Sequence, residues 1–183
     1  MNKSNNTVFI SGSSAGIGLE IAKQFLSLGN KVIINGRNKD RLDSALSHLK
    51  NAVAIQGDLS IESERLRIAS ELTKGYPDVN VIVNNAGEAY TYSLATSGNA
   101  YANALKEINT NYLAIIHFTE LMLPHLMQKS QSAVVNVTSI VGLIPSAGVP
   151  TYSASKSALH FYTQSLRASL VNTNVKVFSD PQM

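Results

Sequence analysis

Short apolar runs alternate along the chain with longer stretches in which apolar residues return every three or four positions. The runs are Thr7–Ser11, Lys31–Asn35, Ala52–Gln56, Val79–Asn84, Ala133–Thr138 and Val175–Phe178. Most are rich in Val or Ile and lack the in–out polar alternation of a half-exposed strand, so they predict strands buried on both faces. Between them, Gly18–Leu28 puts Ile21, Phe25 and Leu28 on one helical face and stops at Gly29. Asp40–Leu49 and Glu62–Lys74 are amphipathic, Asn103–Gln128 is the longest helical pattern, and Thr151–Val171 is the last. Pro124 should bend or interrupt the longest one, because it lacks a backbone donor and its ring crowds the preceding turn. Strand–helix alternation with right-handed crossovers predicts an α/β fold: a doubly wound parallel sheet with helices on both faces. With no repeat, low-complexity tract or linker, residues 1–183 read as one domain.

Composition narrows the chemistry. Of 183 residues, 44% are hydrophobic and 15% charged, enough apolar matter for one core. The net charge of +3 is not gathered into a basic cluster, which argues against a nucleic-acid partner. There is no cysteine, so disulfides, thiolate catalysis and cysteine metal sites are excluded. The four histidines, His48, His117, His125 and His160, show no recurring ligand spacing, and no metal is expected. No stretch approaches the roughly 20 apolar residues of a membrane helix. The opening MNKSNNTVFISG lacks the apolar core of a signal peptide, so the expected location is the cytoplasm.

Two stretches carry candidate chemistry. Ser11–Gly18, SGSSAGIG, sits between a predicted strand and a predicted helix. Gly12 suits the tight turn, Gly16 lets a phosphate approach the backbone, and Gly18 lets helix and strand pack closely. The free N–H groups of the helix start would then face a pyrophosphate. After the second strand, Asn35-Gly36-Arg37 offers no carboxylate for ribose hydroxyls before Asp40, and presents Arg37 instead. A guanidinium suits a 2′-phosphate, which predicts NADP(H) in preference to NAD(H). The plainer alternative is a solvated loop arginine. Asp58 is placed to accept from an adenine amino group or to cap the next helix. Tyr152 and Lys156 are four apart, hence on one face of a helix, where an ammonium would lower a phenol's pKa from near 10. Ser139 ends the fifth predicted strand and could polarise the same substrate oxygen.

Together, SGSSAGIG, Asn84-Asn85-Ala86-Gly87, Ser139 and Tyr152-x-x-x-Lys156 resemble, in order and spacing, the short-chain dehydrogenase/reductase family, from about Thr7 to Phe178. The resemblance implies a Rossmann-like sheet of strand order 3-2-1-4-5-6. It implies reversible hydride transfer between NADP(H) and a small-molecule carbonyl or secondary alcohol, with Tyr152 as acid/base. Ser139 would orient the substrate carbonyl. Lys156 would bind the nicotinamide ribose. Between Asn109 and Asn111, the distance to Pro124 in the family pattern selects Asn111, which would hold a water in a proton relay through the lysine. Gly12, Ser14, Gly16, Ile17, Gly18, Arg37, Asp58, Leu59, Asn85, Ala86, Gly87, Tyr152 and Lys156 are the implied cofactor contacts. The stretches Tyr76–Asn80 and Ile108–Tyr112 resemble a bacterial branch of oxidoreductases encoded near D-alanylation genes.

Family members run to about 250 residues, and a Pro-Gly segment follows their sixth strand. Here Pro181 is followed by Gln182. The expectation is a domain that stops before the substrate-covering region and the seventh strand. A non-enzymatic relative that only binds NADP(H) or associates with other subunits is the alternative. The resemblance also implies a homodimer through the two long helices, no tetramer of the usual kind, and an uncovered edge at Val175–Phe178 that favours aggregation.

Overall fold

The computed structural model describes residues 2–182. Six strands, β1 (Thr7–Ile10), β2 (Lys31–Gly36), β3 (Val53–Gln56), β4 (Val79–Asn84), β5 (Ser132–Ser139) and β6 (Val175–Gln182), form one sheet. Their order is β3-β2-β1-β4-β5-β6 and every pairing is parallel. This is the doubly wound α/β sheet expected from the apolar runs. Successive side chains alternate between two cores, as the two-residue period of a strand requires. Phe9, Ile33, Ile82 and Val134 pack with Ile68, Leu72, Phe118 and Met122 on one face. Val8, Ile10, Val32, Ile34, Val81 and Val83 pack with Ala22, Leu42 and Ala45 on the other.

The helices are α1 (Gly16–Ser27), α2 (Lys39–His48), α3 (Glu62–Gly75), α4 (Ala100–Ile108), α5 (Ala114–Met127) and α6 (Pro150–Ser169). Asn38 starts α2 by accepting a hydrogen bond from Arg41 N at 2.9 Å. Asp58 does not cap α3. Its Oδ1 accepts from Ser60 N at 2.9 Å, and the capping position falls to Ile61.

The longest helical pattern departs from expectation. It is two helices, α4 and α5, joined by a π-helical turn at Asn109–Leu113. Pro124 does not interrupt α5, which runs on to Met127. At the other end, β6 extends four residues beyond Phe178, through Pro181, in register with β5. Pro is tolerated there because β6 lies at an edge of the sheet and needs donors on one side only. No helix among the described residues is long and apolar enough to cross a membrane.

Candidate active site

The carboxyl ends of β1, β2, β3 and β4 open on a cleft of about 540 Å³. Its floor is the turn between β1 and α1. Gly12 and Gly16 both have positive φ, +63° and +57°, a conformation that side chains disfavour. A Cβ at Gly12 would lie 2.8 Å from Ala86 Cα, whereas one at Gly16 would meet nothing within 4 Å. Gly12 therefore serves close backbone packing, and Gly16 leaves open space at the start of α1. No side chain caps that helix, so its first N–H groups remain free for an anion. The donor set and the open space both fit a dinucleotide pyrophosphate.

The Asn85-Ala86-Gly87 segment locks this turn in place. Asn85 Nδ2 donates to the carbonyls of Ser11 and Gly12 at 2.9 and 3.0 Å. Ser11 Oγ in turn accepts from the N–H groups of Asn85 and Ala86, both at 3.0 Å. The cleft gathers Gly12, Ser14, Ile17, Gly18, Arg37, Asp58, Leu59, Asn85, Ala86 and Gly87 from the sequence expectation. It adds Asn38, Arg41 and Glu88, which the sequence reading missed. Arg41 lies in the first turn of α2, where its backbone N–H donates to the capping Asn38 side chain.

Arg37 is not an isolated loop arginine. Its Nη1 donates to Glu88 Oε1 at 2.7 Å and lies 3.6 Å from Asp58 Oδ2. Glu88, then Asp58, hold its pKa above the usual guanidinium value.

The second cluster lies where β5 meets α6. Ser139 ends β5, and its hydroxyl acts on the Tyr152 phenol in the direction that favours phenolate. Lys156 is only 3% exposed, and its Nζ donates to Val137 O at 2.8 Å. That Nζ lies 5.7 Å from the centre of the Tyr152 ring. Asn111 is fully buried within the π-helical turn. Its Nδ2 donates to Glu88 O and Ser155 Oγ, and its Oδ1 accepts from Glu88 N. A Cβ at Gly87 would stand 3.1 Å from Asn111 Oδ1 and 3.7 Å from Lys156 Nζ, so cleft and cluster adjoin there. Asn109 points elsewhere and donates to Ser60 O.

Glu107 has no sequence signal. It follows Lys106 in what reads as a charged surface pair, yet it is fully buried. Its carboxylate accepts from Tyr90 N at 2.8 Å and from the Thr151 hydroxyl, tying the segment after β4 to the residue before Tyr152.

The expected lowering of the Tyr152 pKa by Lys156 is not found. Burial raises it, the Ser139 hydroxyl pulls it down, and the charge of Glu107 adds to the rise. The ammonium of Lys156 donates to Val137 O. Burial lowers Lys156 from 10.5 to about 8.

That shift fixes a stability profile. Below pH 8 the folded and unfolded chains both carry the proton, and the full cost of burying the ammonium is present. From pH 8 upward only the unfolded chain still binds it, so stability should rise with pH up to about 10, where the tyrosines with raised values begin to act the other way. Lys156→Met should therefore unfold at higher urea than the parent at pH 7, with the gap narrowing by pH 10. The lost bond to Val137 costs about 1 kcal/mol, against roughly 3 kcal/mol for the buried charge. A variant less stable than the parent at pH 7 would contradict this assignment.

A profile of the family described as short chain dehydrogenase matches residues 6–179. The chain belongs to the short-chain dehydrogenase family. This short-chain dehydrogenase is 42% identical over 177 residues to the uncharacterized oxidoreductase DltE of Bacillus subtilis (strain 168), spanning 97% of the chain and 70% of DltE. It superposes on a short chain dehydrogenase/reductase from Burkholderia phymatum in complex with NAD with a TM-score of 0.90 at 22% identity, a likeness of fold. That match covers 98% of this chain and 66% of the other, just under two thirds of its length. A closed form of serine dehydrogenase complexed with NADP+ gives a TM-score of 0.87 at 28% identity, covering 94% of this chain and 70% of that one.

Proposed function

We propose that this short-chain dehydrogenase is an NADP(H)-dependent carbonyl reductase, with Tyr152 as its acid/base. The observation that carries the reading is the gathering of Asn111, Ser139, Tyr152 and Lys156 beside Gly87, at the end of a cleft built to take a dinucleotide. A nicotinamide dinucleotide held in that cleft would supply hydride chemistry to a carbonyl or secondary alcohol. Ser139 orients the substrate oxygen, and Tyr152 gives it a proton during reduction. Lys156 adds positive charge beside the phenol and the cofactor ribose. Asn111 fixes both backbone groups of Glu88, holding the cleft wall against the catalytic cluster. Following NADPH consumption with a panel of ketones and aldehydes tests the activity, and a panel with no turnover would count against it.

Cofactor choice rests on Arg37 and Arg41, two guanidinium groups lining one end of the cleft. Arg37→Ala should raise the Kd for NADPH about tenfold, as loss of a charge-assisted hydrogen bond does, and change NADH little. Fluorescence titration of both cofactors measures this. Equal affinity of the parent protein for the two would end the NADP(H) reading.

We also propose a homodimer through α5 and α6. Between them runs an apolar groove of about 300 Å³ that includes Ile116, Leu123, Met127, Tyr162 and Leu166. Phe161, next to Tyr162 in the sequence of α6, is 67% exposed. Exposed apolar surface of this kind marks a contact face. Sedimentation should give a dimer for the parent and a monomer for Phe161→Glu. A monomeric parent would refute the assignment.

A further inference from the structure

We propose that Glu88 is an internal competitor for Arg37: its carboxylate occupies the guanidinium that the 2′-phosphate of NADP(H) must take, and so tempers the preference for that cofactor. This inference rests on the cofactor reading given above.

Arg37 follows β2 and Glu88 follows β4, and β1 lies between those strands in the sheet. Strands separated by one neighbour stand about 9.6 Å apart, so the two side chains meet only by reaching over the end of β1. Both line the cleft above the Gly12–Gly18 turn. Their ion pair, at 2.7 Å, therefore crosses the cofactor site, unlike an ordinary pair on a helix surface such as Lys39–Asp43.

The two partners differ in freedom. Glu88 is held at three points. Asn111 bonds both its backbone groups at 2.8 Å, and its Oε2 accepts from the Tyr90 hydroxyl at 2.8 Å. The Arg37 side chain is 66% exposed and has reach to spare. Glu88 is thus the fixed post and Arg37 the arm. A phosphate carries more charge than a carboxylate and matches the guanidinium fork, so it can win the arm. The exchange costs NADP(H) the bridge it breaks. NADH brings no phosphate and leaves the bridge closed.

Glu88→Gln removes the competing charge while keeping the backbone bonds to Asn111. It should lower the Kd for NADPH about two- to fivefold, the scale of an exposed ion pair, and lower that for NADH by less than half as much. Glu88→Asp keeps the charge but loses one methylene of reach, and should tighten NADPH as well. In an Arg37→Ala background, Glu88→Gln should have no effect on NADPH, the coupling that a double-mutant cycle reads out. An equal gain for both cofactors, a full gain without Arg37, or no gain in either Glu88 variant would overturn the inference. Arg37→Ala weakening NADPH alone would at the same time leave the cofactor reading standing. Arg37→Ala weakening neither cofactor, or both equally, would remove that reading instead.

Discussion

Tyr152→Phe should abolish carbonyl reduction, with a loss of about 10²- to 10⁴-fold in kcat, and leave NADPH binding within about twofold. The ring is half-buried and keeps its packing, so only the hydroxyl is lost. The direction of the Tyr152 shift adds a pH signature. Burial, the leading effect, keeps the phenol protonated at neutral pH. Reduction consumes a phenol proton and should be at its plateau there. Alcohol oxidation needs the phenolate and should climb with pH through the alkaline range, because burial holds the phenol above its ordinary value. Lys156, neutral above about pH 8 in the free protein, would sharpen this only where a bound cofactor restores its charge. Rate profiles in both directions, with Ser139→Ala for comparison, make the measurement. Parental turnover in the phenylalanine variant would sink the role given to Tyr152.

Gly18→Ala should be the most damaging single-methyl change in the cleft. Its new Cβ would sit 2.5 Å from the Gly12 carbonyl oxygen and 2.9 Å from Ser13 Cα, and would also run into the Asn85 side-chain amide. These are backbone atoms and a bonded amide, not the free end of a flexible chain. Relief requires moving α1 off the end of β1 or breaking Asn85 from the turn. Overpacking of this kind costs about 1–3 kcal/mol, and the turn it displaces is the one that would face the pyrophosphate. The variant should unfold several degrees lower and bind neither cofactor measurably. Gly16→Ala is the contrast: nothing crowds it, so its cost is the positive φ alone, roughly 1–2 kcal/mol. A Gly18→Ala protein with parental melting temperature and cofactor affinity would refute the packing role.

The pattern of apolar residues was sufficient for the sheet because the four central strands are buried on both faces, whereas the edge strands β3 and β6, also expected to be buried on both, each leave residues such as Val53 and Phe178 exposed. Val79–Asn84 is the clearest case, with all six residues buried. β6 was read four residues short because its end is set by register with β5, not by its own Ser-Asp-Pro composition. The glycine turn was legible from spacing, since each glycine answers a local backbone need. Glu88 and Glu107 were not. Their partners lie far along the chain, Arg37 at a separation of 51 residues and Thr151 at 44, and nothing local distinguishes them from surface carboxylates. Asn111 was legible only through family resemblance, because a helical period tolerates one surplus residue without a visible break.

That surplus residue has a consequence for the length of the chain. A π-helical turn is an α-helix carrying one residue more than its ladder can use. Deleting any one residue of Asn109–Leu113 would let α4 and α5 fuse into a continuous helix with better backbone geometry. The same deletion would turn everything before it by about 100° relative to everything after it. Glu107 would swing away from Tyr90 and Thr151, and Asn111 could no longer hold Glu88 and Ser155 together. In this stretch the locally more comfortable helix is the one that takes the site apart, so chain length here is as tightly constrained as residue identity.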